Sequence, residues 1–277
     1  MNWLYLYAIW PHPSGESGGA PRICLYGGPM GSISFDRAAP TYDATRGGLQ
    51  RGVYLAGNIA PHLRPGPVLE VGIGTGAVAL ALRDRGHPVV GVDLSPAMLA
   101  LAQPRLGSRV AVADGYGLPV ADRSVPNAVI VWVLQLVPDP QALVAEAGRV
   151  VAPGGRLAVI PAGGNWTDDD IGDVIVPMAQ ALRPERDRPE LLVAGAPAAG
   201  LALVAHETTP PARFLVSPED MAQEIERRQW SSLWDVTDDR WAEVVEPTLA
   251  ALRALPEPQR PRERWKHDDV LVFTPAA

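Results

Sequence analysis

The sequence predicts an α/β fold: a doubly wound, seven-stranded, mostly parallel sheet with helices on both faces. Three observations carry this. From residue 30 onward, short β-branched runs alternate with helical patterns, as in a parallel sheet with crossover helices. Those runs are apolar at nearly every position, as strands must be when helices cover both faces. One of them also ends in three closely spaced glycines and passes at once into Ala77-Val-Ala-Leu-Ala-Leu, a tight turn from strand to helix.

In chain order, strands are expected over 67–71, 88–92, 109–113, 128–133 and 156–161, with helices over 77–85, 96–103 and 140–151 between them. These gaps fit right-handed crossovers. A helix over 169–182 follows, then a proline- and charge-rich break over 183–189 and a strand over 200–208. Residues 217–228 carry the clearest helix start, with Ser217 as cap, Pro218 in the first position and Glu219 and Asp220 at the positive end of the dipole. A helix over 238–255 and a strand over 269–274 complete one domain of about seven strands spanning residues 30–277. Residues 1–29 lack a periodic pattern and read as an irregular extension, Met30 being the better start.

Composition narrows the function. Against 24 Lys and Arg stand 31 Asp and Glu, a net charge of −7, which disfavours a nucleic-acid surface because phosphates need a basic stripe. Cys24 is the only cysteine, so an internal disulfide, a CxxC pair and a thiolate metal cluster are excluded. The apolar start MNWLYLYAIW is far short of the roughly 20 residues that span a bilayer. It also lacks a basic leader and a cleavage site. The expectation is a cytoplasmic protein with no metal, nucleic-acid or membrane partner.

Chemistry concentrates at the strand ends. In Val68-Leu-Glu-Val-Gly-Ile-Gly-Thr-Gly76, glycines let the chain turn and let a ligand approach bare backbone. By itself this is a weak signal, since a tight turn needs no ligand. Asp93 strengthens it: it ends the next strand, 21 residues after Gly72, where doubly wound folds place a ribose-binding carboxylate. Ser95 with Pro96 already supplies the helix cap there, so Asp93 is not needed for capping. Asp114 ends the third strand and Gly115 follows; alone, this pair would read as a simple turn.

Glu70-Val-Gly-Ile-Gly-Thr-Gly76, Gly91-Val-Asp-Leu-Ser-Pro-Ala-Met98 and Ala113-Asp114 resemble the first three motifs of class I S-adenosylmethionine-dependent methyltransferases, of the small-molecule, UbiE-like kind. Leu134-Gln-Leu-Val-Pro-Asp139 and Arg149-Val-Val-Ala-Pro-Gly-Gly155 match in order, and Phe35 to Arg46 resembles the segment that covers the cofactor. The resemblance implies a Rossmann-like fold, S-adenosyl-L-methionine as cofactor and a small-molecule methyl acceptor. It implies that Glu70 orients the cofactor's amino group, that Gly72, Gly74 and Gly76 face its methionine part and that Asp93 takes its ribose hydroxyls. Leu94 and Met98 would line the adenine side, with Asp114 on the adenine amino group and Gly115 beside the ring. Val131 and Trp132 would border the sulfonium, and Tyr42 and Arg46 would close from above.

The departures are informative. Pro126-Asn127 stand where relatives usually have an Asp, and Trp132 and Gln135 where they often have His. Obvious general bases are therefore missing. His62, His206 and His267 lie in no motif, so no catalytic residue is assigned. Trp166, Trp230, Trp234 and Trp241 fall within residues 163–268, where a substrate cap is expected, although helical spacing by itself more often marks core than pocket. Two other readings stay open: a nicotinamide-dependent oxidoreductase, since Gly72-x-Gly74-x-x-Ala77 also fits the dinucleotide fingerprint, and a member that binds the cofactor without transferring methyl.

Overall fold

A computed structural model describes residues 35–183 and 186–276; the extension over 1–29, Cys24 included, lies outside the described residues. In chain order the strands are β1 (Val68–Val71), β2 (Val89–Asp93), β3 (Val110–Val112), β4 (Val125–Val131), β5 (Val151–Ile160), β6 (Asn165–Trp166), β7 (Leu201–Thr208), β8 (Ala212–Val216), β9 (Arg262–His267) and β10 (Asp269–Pro275). Seven of them form one sheet in the order β3-β2-β1-β4-β5-β10-β7. Strands β1 to β5 pair in parallel, and β10 runs antiparallel to β5. The order reverses between β1 and β4, and crevices for ligands open at such a switch point, outside the carboxyl ends of the strands.

Near-continuous apolarity of the central strands serves two cores at once. Leu69, Val71, Ala128, Ile130, Leu157 and Val159 pack into one core, while Val68, Val129, Ala158 and Ile160 pack into another. Successive side chains of a strand point to opposite faces. Glu70 thus shares a face with Val68, and register sets it opposite Gly91 on β2 and Val129 on β4. It is buried among apolar neighbours.

The helices around this sheet are α1 (Gly48–Ile59), α2 (Ala77–Arg83), α3 (Pro96–Leu106), α4 (Pro140–Val150) and α6 (Pro189–Gly195); α5 (Asp170–Leu182), α7 (Pro218–Glu226) and α8 (Glu246–Ala254) belong elsewhere. The expected caps form: Ser95 accepts from the Met98 amide, and Ser217 and Asp220 make a reciprocal box at the start of α7. Helix α1 was not anticipated. It crosses α2 so closely that a Cβ on Gly52 would lie 2.3 Å from the Ala77 carbonyl oxygen.

The chain divides into two compact units, one of residues 1–162, 189–207 and 270–277, the other of 163–188 and 208–269. The expected seven-stranded, mostly parallel sheet is present, and the second unit adds a three-stranded sheet that was not expected, β6-β9-β8. Its strands were hard to read because Arg-Glu-Arg-Trp-Lys-His has no apolar run and the apolar run in Ala-Arg-Phe-Leu-Val is only Phe214 to Val216. This unit has its own core, including Ile171, Met178, Met221, Ile225, Leu233 and Leu252. Trp230 and Trp241 pack against that core, and Trp234 donates through Nε1 to the Arg228 carbonyl. Trp166 is the exposed member of the predicted four and stacks beside Phe214 at 5.2 Å.

Candidate functional site

The three glycines after β1 all adopt positive φ, 74° at Gly72, 54° at Gly74 and 78° at Gly76, where side chains are disfavoured. Their surroundings differ. A Cβ on Gly72 would strike Val133 and one on Gly76 would strike Leu106, whereas one on Gly74 would meet nothing within 4 Å. Gly72 and Gly76 are thus also packing glycines, and Gly74 faces open space.

Asp93 fastens this turn to the end of β2. Its Oδ2 accepts from the Gly74 amide at 2.8 Å and its Oδ1 from the Ser95 amide at 2.9 Å. The Leu94 amide is a third backbone donor to the carboxylate, which leaves acceptor capacity for one outside donor. Burial pushes the Asp93 carboxyl upward against these bonds. Glu70 is the more exceptional acid: its Oε2 is buried without a hydrogen-bond partner. Burial first, and the nearby charge of Asp93 second, push its carboxyl up to about 8. Unsatisfied buried acceptors are costly, and such acids cluster at functional sites.

At the third strand, Asp114 accepts from the Tyr116 amide at 2.9 Å, so it does form a local turn. Gly115 makes room for Leu143, whose Cδ1 would lie 2.9 Å from an added Cβ. Packing therefore explains Gly115 without any ligand. Leu94 is exposed and Met98 fully buried, so of the two only Leu94 offers surface to a ligand.

Val131 ends β4 and is half-buried, and Trp132 follows with φ +54°, a left-handed conformation rare for a bulky residue. Its amide donates to the Ile160 carbonyl, and its own carbonyl accepts from Gln135 Nε2 at 2.6 Å. The remaining Gln135 Oε1 is buried and lacks a partner. Asn127, where an Asp is usual, is buried and staples the loop before β1: its amide donates to the Arg64 and Pro67 carbonyls, and its Oδ1 accepts from the Arg64 amide. An aspartate could not donate both bonds.

Sequence reasoning missed the groups that tie residues 35–51 to this site. Asp36 accepts from Ser95 Oγ at 2.5 Å and from the Ala97 amide. Asp43 accepts from Thr75 Oγ1 at 2.7 Å and from Arg105, which also donates to the Thr75 carbonyl. Burial raises the Asp43 carboxyl, but these bonds and the charges of Arg105 and Arg51 outweigh it and hold it below the usual range. Arg51 lies 4.8 Å above the Trp132 ring and 5.3 Å from the Tyr42 ring. Arg46, its expected companion, caps the short turn Tyr42–Thr45. The hydrogen-bonded partners are 30 to 62 residues apart in sequence, and no local pattern announces them.

The residues present fit the adenosine-bearing sulfonium implied by the motifs. Glu70 offers a buried acceptor to an ammonium, Asp93 offers a lone pair to a hydroxyl, and Gly74 leaves its backbone approachable.

Known proteins agree with this reading. Residues 69–159 match the family described as methyltransferase domain. Demethylmenaquinone methyltransferase of Thermus thermophilus is 35% identical over 138 residues, 46% of this chain and 63% of that protein. The chain thus spans less than two thirds of the length of that relative. Among solved structures, the fold resembles a phosphoethanolamine N-methyltransferase of Haemonchus contortus in complex with S-adenosyl-L-methionine, with a TM-score of 0.52 and 19% identity over 87% of this chain and 57% of the other. It also resembles the [4+2]-cyclase SpnF, with a TM-score of 0.54 and 21% identity over 88% of this chain and 94% of that one.

Proposed function

We infer that this chain, whose residues 69–159 match the methyltransferase domain family, is a class I S-adenosylmethionine-dependent methyltransferase that moves a methyl group to a small-molecule acceptor by in-line displacement. A single observation carries the reading: a buried, unsatisfied Glu70 beside Asp93, next to a glycine with open space where a side chain would be. A ligand with one ammonium and a hydroxyl relieves both acids. A dinucleotide brings no ammonium to the Glu70 Oε2 and would leave that buried acceptor without a partner.

S-adenosyl-L-methionine, held by Glu70, Asp93 and the backbone around Gly74, supplies an electrophilic methyl group on a sulfonium. The protein's own task is placement. Glu70 orients the amino group, Asp93 a ribose hydroxyl, and Asp43 with Arg105 keeps the glycine turn rigid beneath them. Displacement at carbon leaves a neutral thioether, so what remains is to hold the nucleophile in line and exclude water. Leu94 and Asp114 are assigned to the adenine side, Val131 and Trp132 to the methyl side, and Tyr42 and Arg46 to the cover. A substrate cap within 163–268 is proposed; of its tryptophans, Trp230 and Trp241 pack in that unit's own core, Trp234 donates to the Arg228 carbonyl and Trp166 is exposed. A net charge of −7 and a single cysteine support a cytoplasmic enzyme that avoids nucleic acid.

Titration calorimetry tests this directly. S-adenosylhomocysteine should bind the wild-type protein and bind Glu70→Gln at least about tenfold more weakly, roughly the value of one charge-assisted hydrogen bond. NAD should not bind. Binding of NAD in place of the thioether would overturn the reading.

A further inference from the structure

We propose that Arg51 selects an acceptor that is bound as an oxyanion, such as a phenolate or enolate, so that the site needs no general base. This rests on the methyltransferase reading and names the acceptor's chemistry within it.

The placement of Arg51 comes from the fold. Trp132 follows the carboxyl end of β4, and the glycine turn follows that of β1; these strands flank the switch point of the sheet. The two loops touch, since a Cβ on Gly72 would lie 2.3 Å from a Val133 methyl carbon. Arg51 stacks on Trp132 at this mouth, and its neighbour Gly52 packs on Ala77, the first residue after the glycine turn.

The guanidinium is also uncommitted. Among the described residues Arg51 makes neither a side-chain hydrogen bond nor an ion pair, and it rests only on two aromatic faces. Asp43, the carboxylate that feels its charge, is already bonded to Arg105 and Thr75. The other titratable groups on the elements packed against α1 are Arg46, His62, which lies 3.5 Å from Glu207, and, from α2 and its end, Arg83, Asp84 and Arg85. Arg83 is bonded to the Arg105 carbonyl and to Asp84, and Arg85 to the Ala81 and Val53 carbonyls. The stacked fork therefore keeps all five of its N–H donors for an incoming anion.

This accounts for the chemistry that is otherwise missing. Trp132 and Gln135 stand where relatives often have His, and neither side chain can take a proton at neutral pH. An acceptor with an acidic hydroxyl can instead lose its proton to bulk water as it binds, the guanidinium compensating the charge that remains.

The test uses 4-nitrophenol, whose phenolate absorbs in the visible, with the full-length protein saturated with S-adenosylhomocysteine. The wild type should lower the apparent pKa of the bound phenol by about one unit, a tenfold gain in the ionised form. Arg51→Met should abolish the shift and Arg51→Lys should keep part of it. An unshifted phenol on the wild type, no phenol binding, or the same shift in Arg51→Met would each overturn the proposal. Absence of S-adenosylhomocysteine binding would instead sink the methyltransferase reading, so the two failures are told apart.

Discussion

The two units of the chain use charge in opposite ways. In the seven-stranded unit the strands are apolar, and the most deeply buried acid, Glu70, is left unsatisfied at the end of β1. In the second unit the strands carry the charges, and these are paired: Arg264, almost fully buried, bonds Asp169 at 2.6 Å, Lys266 bonds Asp268 at 2.8 Å, and Arg213 bonds Glu263 across β8 and β9. Arg264 also lies over the Trp166 ring at 4.6 Å. The difference teaches that a buried charge is not a functional signal by itself. What singles out Glu70 is an unpartnered buried oxygen together with the neighbouring charge of Asp93.

The largest effect should come from breaking a satisfied pair. Asp169→Ala strips Arg264 of its buried partner and the start of α5 of its cap, which should cost about 3–5 kcal/mol. Urea denaturation would measure this, and a loss below about 1 kcal/mol would mean the second unit does not rely on the pair. Adding Arg264→Met to Asp169→Ala should recover much of the loss, because no unpaired charge is then buried.

Removing the unsatisfied acid should do the reverse. Glu70 titrates near 4.5 in an unfolded chain and at about 8 when folded. Between these values the folded state holds a proton that the unfolded state has lost. The contribution of this group to stability is therefore fullest below pH 4.5 and declines as pH rises to about 8. Glu70→Gln should stabilise the protein by about 2–4 kcal/mol at pH 8 and by little at pH 4.5, while weakening ligand binding. Equal thermal shifts at both pH values would contradict the assigned cause. The smallest effect, about 1 kcal/mol, is expected from Ser217→Ala, which removes the hydroxyl half of the capping box on α7. Melting temperature is the readout, and α7 should keep its register.

The same contrast governs how much the chain discloses of itself. The parallel strands, the glycine turn and the acids at its rim were legible because each is a local pattern: apolar runs bounded by Gly and Pro, and a fixed spacing from Gly72 to Asp93. The short strand Asn165–Trp166 and the charged strands β8 and β9 were not, since a strand stabilised by cross-strand ion pairs has no apolar alternation to read. Gly115 was legible as a glycine but not for its cause, a Leu143 side chain contributed by α4.

By itself, then, the sequence determined the sheet, its turn and the acids Glu70, Asp93 and Asp114, because covalent spacing along a strand and its following loop fixes where each side chain emerges. Only the tertiary structure decided that Arg51 would rest on Trp132, that Asp43 would join Thr75 and Arg105, that Asn127 would staple the loop before β1, and that Arg264 would be neutralised by Asp169. Those partners meet only when helices pack and strands pair, so their energies depend on distances that no stretch of chain encodes locally.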